Sequence, residues 1–161
     1  MFRLTIVALT LCVAALSAPC FGDMPNGQPS MPMTNGTSIN WMTNYQDAVA
    51  KAKSEKKPLV LFFTGSDWCG WCKKMESEIL NTPDFASAAG SRFVFVMLDY
   101  PMNKALPQAL ADQNAGLKQK YGVTGYPTVV VLDPNENFIA ETGYRSGGGK
   151  AYADYLIGLL H

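Results

Sequence analysis

Histidine is all but missing from this 161-residue chain, whose one copy is His161. A Ser/His/Asp triad, a Cys/His nucleophile pair and a His-rich metal site all need an imidazole inside the fold, so none of them explains this protein. An excess of charge of one sign is missing too. Lys+Arg is 13 and Asp+Glu is 13, which leaves no basic footprint for nucleic acid or an anionic membrane surface. Long apolar runs are also lacking: the uncharged stretch Leu4 to Leu16 is shorter than the ~20 residues a membrane-spanning helix needs. What is present is a 48% hydrophobic composition with 16% charged residues, enough for a packed core in one domain. There are four cysteines, Cys12, Cys20, Cys69 and Cys72, and they carry most of the information.

Residues 1–22 read MFRLTIVALTLCVAALSAPCFG. A short positive start at Arg3, an apolar run and then small residues are the layout of a secretory signal peptide. Ser17, Ala18 and Gly22 each offer a small residue for cleavage. Acylation at Cys20 is disfavoured by Pro19 directly before it. A cut after Gly22 removes Cys12 and Cys20 and leaves Cys69 and Cys72 in a compartment where disulfides persist. Residues 23–40 are rich in Pro, Gly, Asn, Ser and Met, with Pro25, Pro29 and Pro32, and read as a flexible linker. The domain proper is expected over 41–161.

Within that domain Asn44 can cap a helix running to about Lys56, with Ala48, Val49 and Ala52 on its apolar face. Leu59 to Phe63, Phe93 to Leu98 and Thr128 to Leu132 are short apolar runs of the kind that make strands buried on both faces. A helix is expected from near Cys69 through Ile79, and another in the second half of the stretch from Tyr100 to Tyr121. Phe138 to Glu141 forms a hairpin with the strand before it. Tyr152, Tyr155, Leu156, Leu159 and Leu160 line one face of a closing helix. The expected order is α, β, α, β, α, β, β, α, which builds an α/β fold with a central mixed sheet flanked by helices.

Trp68-Cys69-Gly70-Trp71-Cys72 is the chemical centre. Two Cys three positions apart at a helix start can close a reversible disulfide. The first lies where free N–H groups favour a thiolate, the attacking form. Lowering a thiol pKa from ~8.5 to ~7 raises the ionised fraction at neutral pH from ~3% to ~50%. Each thiolate also becomes ~5-fold less nucleophilic, so the gain in attack is only ~3-fold. The residues between the sulfurs therefore set direction more than speed. Gly70-Trp71 holds no His and no positive charge, which argues for a reducing couple. A structural disulfide over so short a loop would add little stability, and zinc lacks two further ligands. No metal or cofactor is expected. Trp68 and Trp71 either pack at the helix start or form an apolar substrate-facing rim.

A buried strand, then W-C-x-x-C at a helix start, then Lys120-Tyr121-Gly122-Val123-Thr124-Gly125-Tyr126-Pro127-Thr128 leading into a strand and hairpin, resembles the thioredoxin superfamily over roughly residues 41–160. Ser66 to Met75 is most similar to exported bacterial thioredoxin-like disulfide reductases. The resemblance implies a thioredoxin-like fold. It implies that Cys69 is the exposed attacking sulfur and Cys72 the buried resolving one. It also implies that Pro127 is a cis-proline facing them and that Tyr126 shapes partner choice, with Trp68, Gly70 and Trp71 completing the substrate-binding surface. One departure stands out. Thioredoxins usually carry a buried carboxylate six residues before the first Cys, and here that position is Phe63, so the proton of Cys72 needs another route.

The expected function is a periplasmic, monomeric thiol–disulfide oxidoreductase acting mainly as a reductase. Its partners are disulfide-containing exported proteins and a membrane electron donor that regenerates the dithiol. Two alternatives stay open: a disulfide isomerase, which resembles dimers with a separate dimerisation domain, and a redox-inert binding module that holds partners at the Tyr126-Pro127 edge.

Overall fold

Three of the apolar runs form adjacent strands in the middle of the molecule. The computed structural model describes residues 38–161. The expected signal peptide, Cys12, Cys20 and nearly all of the expected linker lie outside the described residues.

The described chain runs through β1 (Trp41–Met42), α1 (Tyr45–Glu55) and β2 (Leu59–Thr64). It continues through α2 (Gly70–Met75), a π-helical turn (Glu76–Leu80), α3 (Pro83–Ala89) and β3 (Val94–Asp99). The second half is α4 (Gln108–Lys120), β4 (Thr128–Leu132), β5 (Phe138–Thr142) and α5 (Gly148–Gly158). The sheet order is β1-β3-β2-β4-β5. β1, β3 and β2 run parallel, whereas β4 is antiparallel to both β2 and β5. This is the thioredoxin-like fold, a mixed sheet with helices on both faces.

The period-2 alternation of the strands divides the core cleanly. Leu59, Leu61 and Phe63 of β2, with Val94, Val96 and Leu98 of β3 and Val130 and Leu132 of β4, face α1 and α4. The intervening Val60, Phe62, Phe95, Val129 and Val131 face Met75, Ile79, Phe85 and the α5 residues Tyr152, Ala153 and Leu156. β2, β3 and β4 are apolar except for Thr64, Asp99 and Thr128 at their ends, because both faces of each are covered.

Three features differ from the expected order. β1 is an added two-residue edge strand, too short to show any periodicity. α3 was not expected; Thr82 caps it by accepting from the Phe85 N–H, and Pro83 opens it, a start signal that is present in the sequence. The helix expected through Ile79 is α-helical only to Met75 and then widens into the π turn.

Candidate active site

β2 ends at Thr64 and the chain turns at once, with the Cys69 N–H donating to Gly65 O at 2.8 Å. Cys69 is the N-cap of α2. It is disulfide-bonded to Cys72, with a Cα–Cα distance of 5.3 Å. The Cys72 N–H points at Cys69 Sγ at 3.1 Å, a donor aimed at the atom that would carry negative charge. The two cysteines are not equivalent: Cys69 is 6% exposed and Cys72 is 0% exposed. Cys69 is thus far less open than the exposed sulfur expected, because its side chain turns back over the helix start to meet Cys72. Gly70, between them, is exposed.

Both tryptophans are surface residues, Trp68 at 40% and Trp71 at 59% exposure. Trp68 lies across Gly65, whose absent Cβ would stand 2.5 Å from the indole Cε2. Its Nε1–H donates to Tyr100 O at 2.8 Å, and it meets the Tyr126 ring edge-on at a centroid distance of 5.7 Å. Trp68 therefore packs and faces solvent at once. Trp71 leans on Tyr144 at 5.5 Å, with Lys74 Nζ over its ring at 4.9 Å. Gly65→Ala should cost about 1–3 kcal/mol of stability, the usual range for overpacking, and should swing Trp68 away from Tyr100. Denaturant unfolding and the tryptophan emission maximum would report this; an unchanged spectrum and stability would contradict it.

The Trp68–Tyr126 contact is where the two sequence motifs meet. The Tyr126–Pro127 peptide bond is cis, both residues are half-buried, and Thr128 Oγ1 ties the turn back to Gly125 O at 2.9 Å. The Tyr126 ring also packs on Tyr100 at 5.1 Å and lies under Lys118 Nζ at 4.9 Å. Its ring is committed to these neighbours.

Several residues that shape the site were not singled out in the sequence. Asp67 accepts from the Met102 and Asn103 N–H groups at 3.0 and 2.7 Å, latching the loop after β3 onto the cysteine loop. The Met102 N–H bond is the main reason its carboxyl is held below the usual value. Asp99, in register with Thr64 across β2 and β3, accepts from the Ser66 N–H at 2.9 Å and the Ser66 hydroxyl at 2.7 Å. It also pairs with Lys104 at 3.1 Å. Burial pushes Asp99 up, but the Ser66 bonds and the Lys104 ammonium outweigh it and hold the carboxyl low. Glu76, one turn after Cys72, accepts from Thr64 Oγ1 at 3.3 Å. Burial pushes it up and the Asp99 charge adds to that. The Thr64 hydroxyl, Lys73 and Lys104 pull the other way without cancelling the rise. Phe63 is fully buried and stacks on Tyr100 at 6.3 Å. The signal for Glu76 was its spacing of four from Cys72, which places both on one helix face; Asp67 and Asp99 gave no local signal.

The model of the thioredoxin-like domain matches residues 45–151. The chain belongs to the thioredoxin-like family. It is 37% identical over 152 residues to the disulfide bond reductase DsbH of Chlamydia pneumoniae, covering 94% of this chain and 89% of that protein. It is 34% identical to the thioredoxin-related protein DsbJ of the same organism, over 76% of this chain and 36% of that longer one. Among solved structures, a DsbH oxidoreductase superposes with a TM-score of 0.74 at 36% identity, covering 86% of this chain and 94% of the other. With a cysteine pair at disulfide distance in this fold, this thioredoxin-like protein is a thiol–disulfide oxidoreductase acting on disulfide substrates.

Proposed function

We propose that this protein works in the periplasm as a monomeric reductase of disulfides in exported proteins. In this reading residues 1–22 are a cleaved signal peptide, 23–40 a flexible linker and 41–161 the thioredoxin-like domain. No described helix is long and apolar enough to cross a membrane. Cys69 attacks the substrate disulfide, Cys72 releases the reduced product, and a membrane electron donor restores the dithiol. Gly70, the Trp68 and Trp71 rings and the backbone at Tyr126 and Pro127 hold an extended segment of substrate beside the sulfurs.

The observation that carries this reading is the inequality of the two cysteines. Cys69, buried but for 6% of its surface, has the Cys72 N–H aimed at its sulfur, and Cys72 is 0% exposed. The reducing direction is supported by the near full-length similarity to a protein named as a disulfide bond reductase. It is also supported by the neutral Gly70-Trp71 pair, which does little to stabilise the Cys69 thiolate and so favours a reducing couple. Equilibration with glutathione or dithiothreitol tests the direction. The potential should fall near that of thioredoxin, about −270 mV, and a value near about −120 mV would make the protein an oxidant instead.

A further inference from the structure

The family's buried carboxylate is replaced here by Phe63, a core residue stacked on Tyr100, yet a buried thiol that must attack still has to lose its proton. The structure offers a second place for the base. Glu76 begins the π turn directly after α2, and its own N–H donates to Cys72 O and Lys73 O. It sits one helical turn from Cys72, where side chains at i and i+4 are neighbours. Its carboxylate accepts from Thr64 Oγ1, which is fully buried at the end of β2. Across the sheet, Thr64 pairs with Asp99. Asp99 and Lys104 line a cavity of about 240 Å³ with Tyr100 and Asn114. Carboxyls whose surroundings push their affinities for protons apart are the usual mark of an acid/base pair. Here Glu76 is held up by burial, while Asp99 is held down by Ser66 and Lys104.

We propose that Glu76 is the proton acceptor for the Cys72 thiol in the resolving step, passing the proton to solvent from its own half-buried position at the end of α2. The step balances simply. The Cys72 S–H bond gives its proton to the Glu76 carboxylate, and the sulfur attacks Cys69 Sγ of the mixed disulfide. The Cys69–Cys72 bond forms, and the substrate sulfur leaves with the electron pair. Glu76 then loses the proton to water. The charged groups around Glu76 are Asp99 on β3, Lys73 on α2 and Lys104 on the loop after β3. Asp99 is held low by Ser66 and Lys104, so Glu76 is the member of the pair that holds a proton more readily.

This inference rests on the resolving role proposed for Cys72, and the test separates the two. The reduced full chain is mixed with Ellman's reagent in a stopped-flow instrument. Attack by Cys69 releases one thionitrobenzoate and closure by Cys72 releases the second. Glu76→Gln should slow the second release about 100-fold or more near neutral pH, the lower end of what a positioned general base contributes. It should leave the first release within about 2-fold, and the deficit should close towards about pH 9, where the thiol ionises unaided. Thr64→Val removes a hydrogen bond that holds the Glu76 carboxyl down, so the inflection in the second phase should move to higher pH. A merely structural effect predicts neither the phase selectivity nor that shift.

Stability provides an independent readout. Glu76 is held above its ordinary value in the fold, so its ionised form destabilises the native state at neutral pH and its protonated form does not. Glu76→Gln should therefore melt higher than the natural protein near neutral pH, and the gap should vanish as pH falls below the ordinary carboxylate range. An unchanged second phase in Glu76→Gln, equal slowing of both phases, or an inflection that Thr64→Val leaves in place would each overturn the relay. If the second phase instead persists in Cys72→Ser, the assignment of the two sulfurs is wrong, independently of Glu76.

Discussion

Cys72→Ser should accumulate substrate proteins on Cys69 as stable mixed disulfides, and Cys69→Ser should accumulate none. The two sulfurs share a bond, but only the first has any exposed surface. An incoming disulfide must be attacked in line by a thiolate, and the covered sulfur of Cys72 cannot offer that approach. Once Cys69 has attacked, the mixed disulfide survives only until the neighbouring thiol displaces the substrate. Replacing that thiol with a hydroxyl removes the intramolecular exit and leaves only slow release by outside thiols. Intramolecular attack enjoys effective concentrations of about 10⁵ M or more when well oriented, so the lifetime of the complex should rise by several orders of magnitude. Non-reducing electrophoresis after acid quenching would show the adducts. The same Cys69→Ser protein should reduce insulin no faster than buffer. Equal trapping by both variants, or by neither, would reverse or remove the proposed roles, and insulin reduction by Cys69→Ser would remove them as well.

Phe63→Asp, which places a carboxylate where thioredoxins usually carry one, should be among the most destabilising single changes in the chain. Phe63 is fully buried among α1, β3 and α4 residues and stacks on Tyr100. Truncating a buried phenylalanine costs about 3–5 kcal/mol, and a carboxylate left in that cavity adds its desolvation. Burial would raise the pKa of the introduced carboxyl above its unfolded value. Its penalty is therefore largest above the raised folded-state value and shrinks as pH falls through that value to the ordinary carboxylate range. The variant should be more stable near pH 5 than near pH 7, measured by denaturant midpoint. A neutral effect on stability would instead mean that water already reaches this position.

The comparison of Phe63 with Glu76 shows how far local reading extends. The three apolar strands were legible because a strand covered on both faces needs no polar positions, and their runs are short and uninterrupted. The helix start at Cys69 was legible because turn residues precede a cysteine pair whose spacing suits less than one turn. β1 was not legible, since its two residues become a strand only by pairing with Phe95 and Val96. The π turn after Met75 was likewise invisible, and it is where Glu76 sits. The latch from Asp67 to Met102 and Asn103 spans 35 and 36 positions, a separation at which sequence spacing says nothing.

The residue sequence alone determined the chemistry available: two sulfurs three apart, no imidazole but that of the terminal His161, no excess charge, and strands enough for a mixed sheet. These follow from composition and short-range periodicity, which act within a few residues. Tertiary structure decided which sulfur retains exposed surface and which aromatic rings are already engaged by neighbours. It also set the company of each carboxyl, because burial and charge pairing depend on groups brought together across the sheet. Thr64, Glu76 and Asp99 share one end of β2 and β3 only because the strands run parallel in that register.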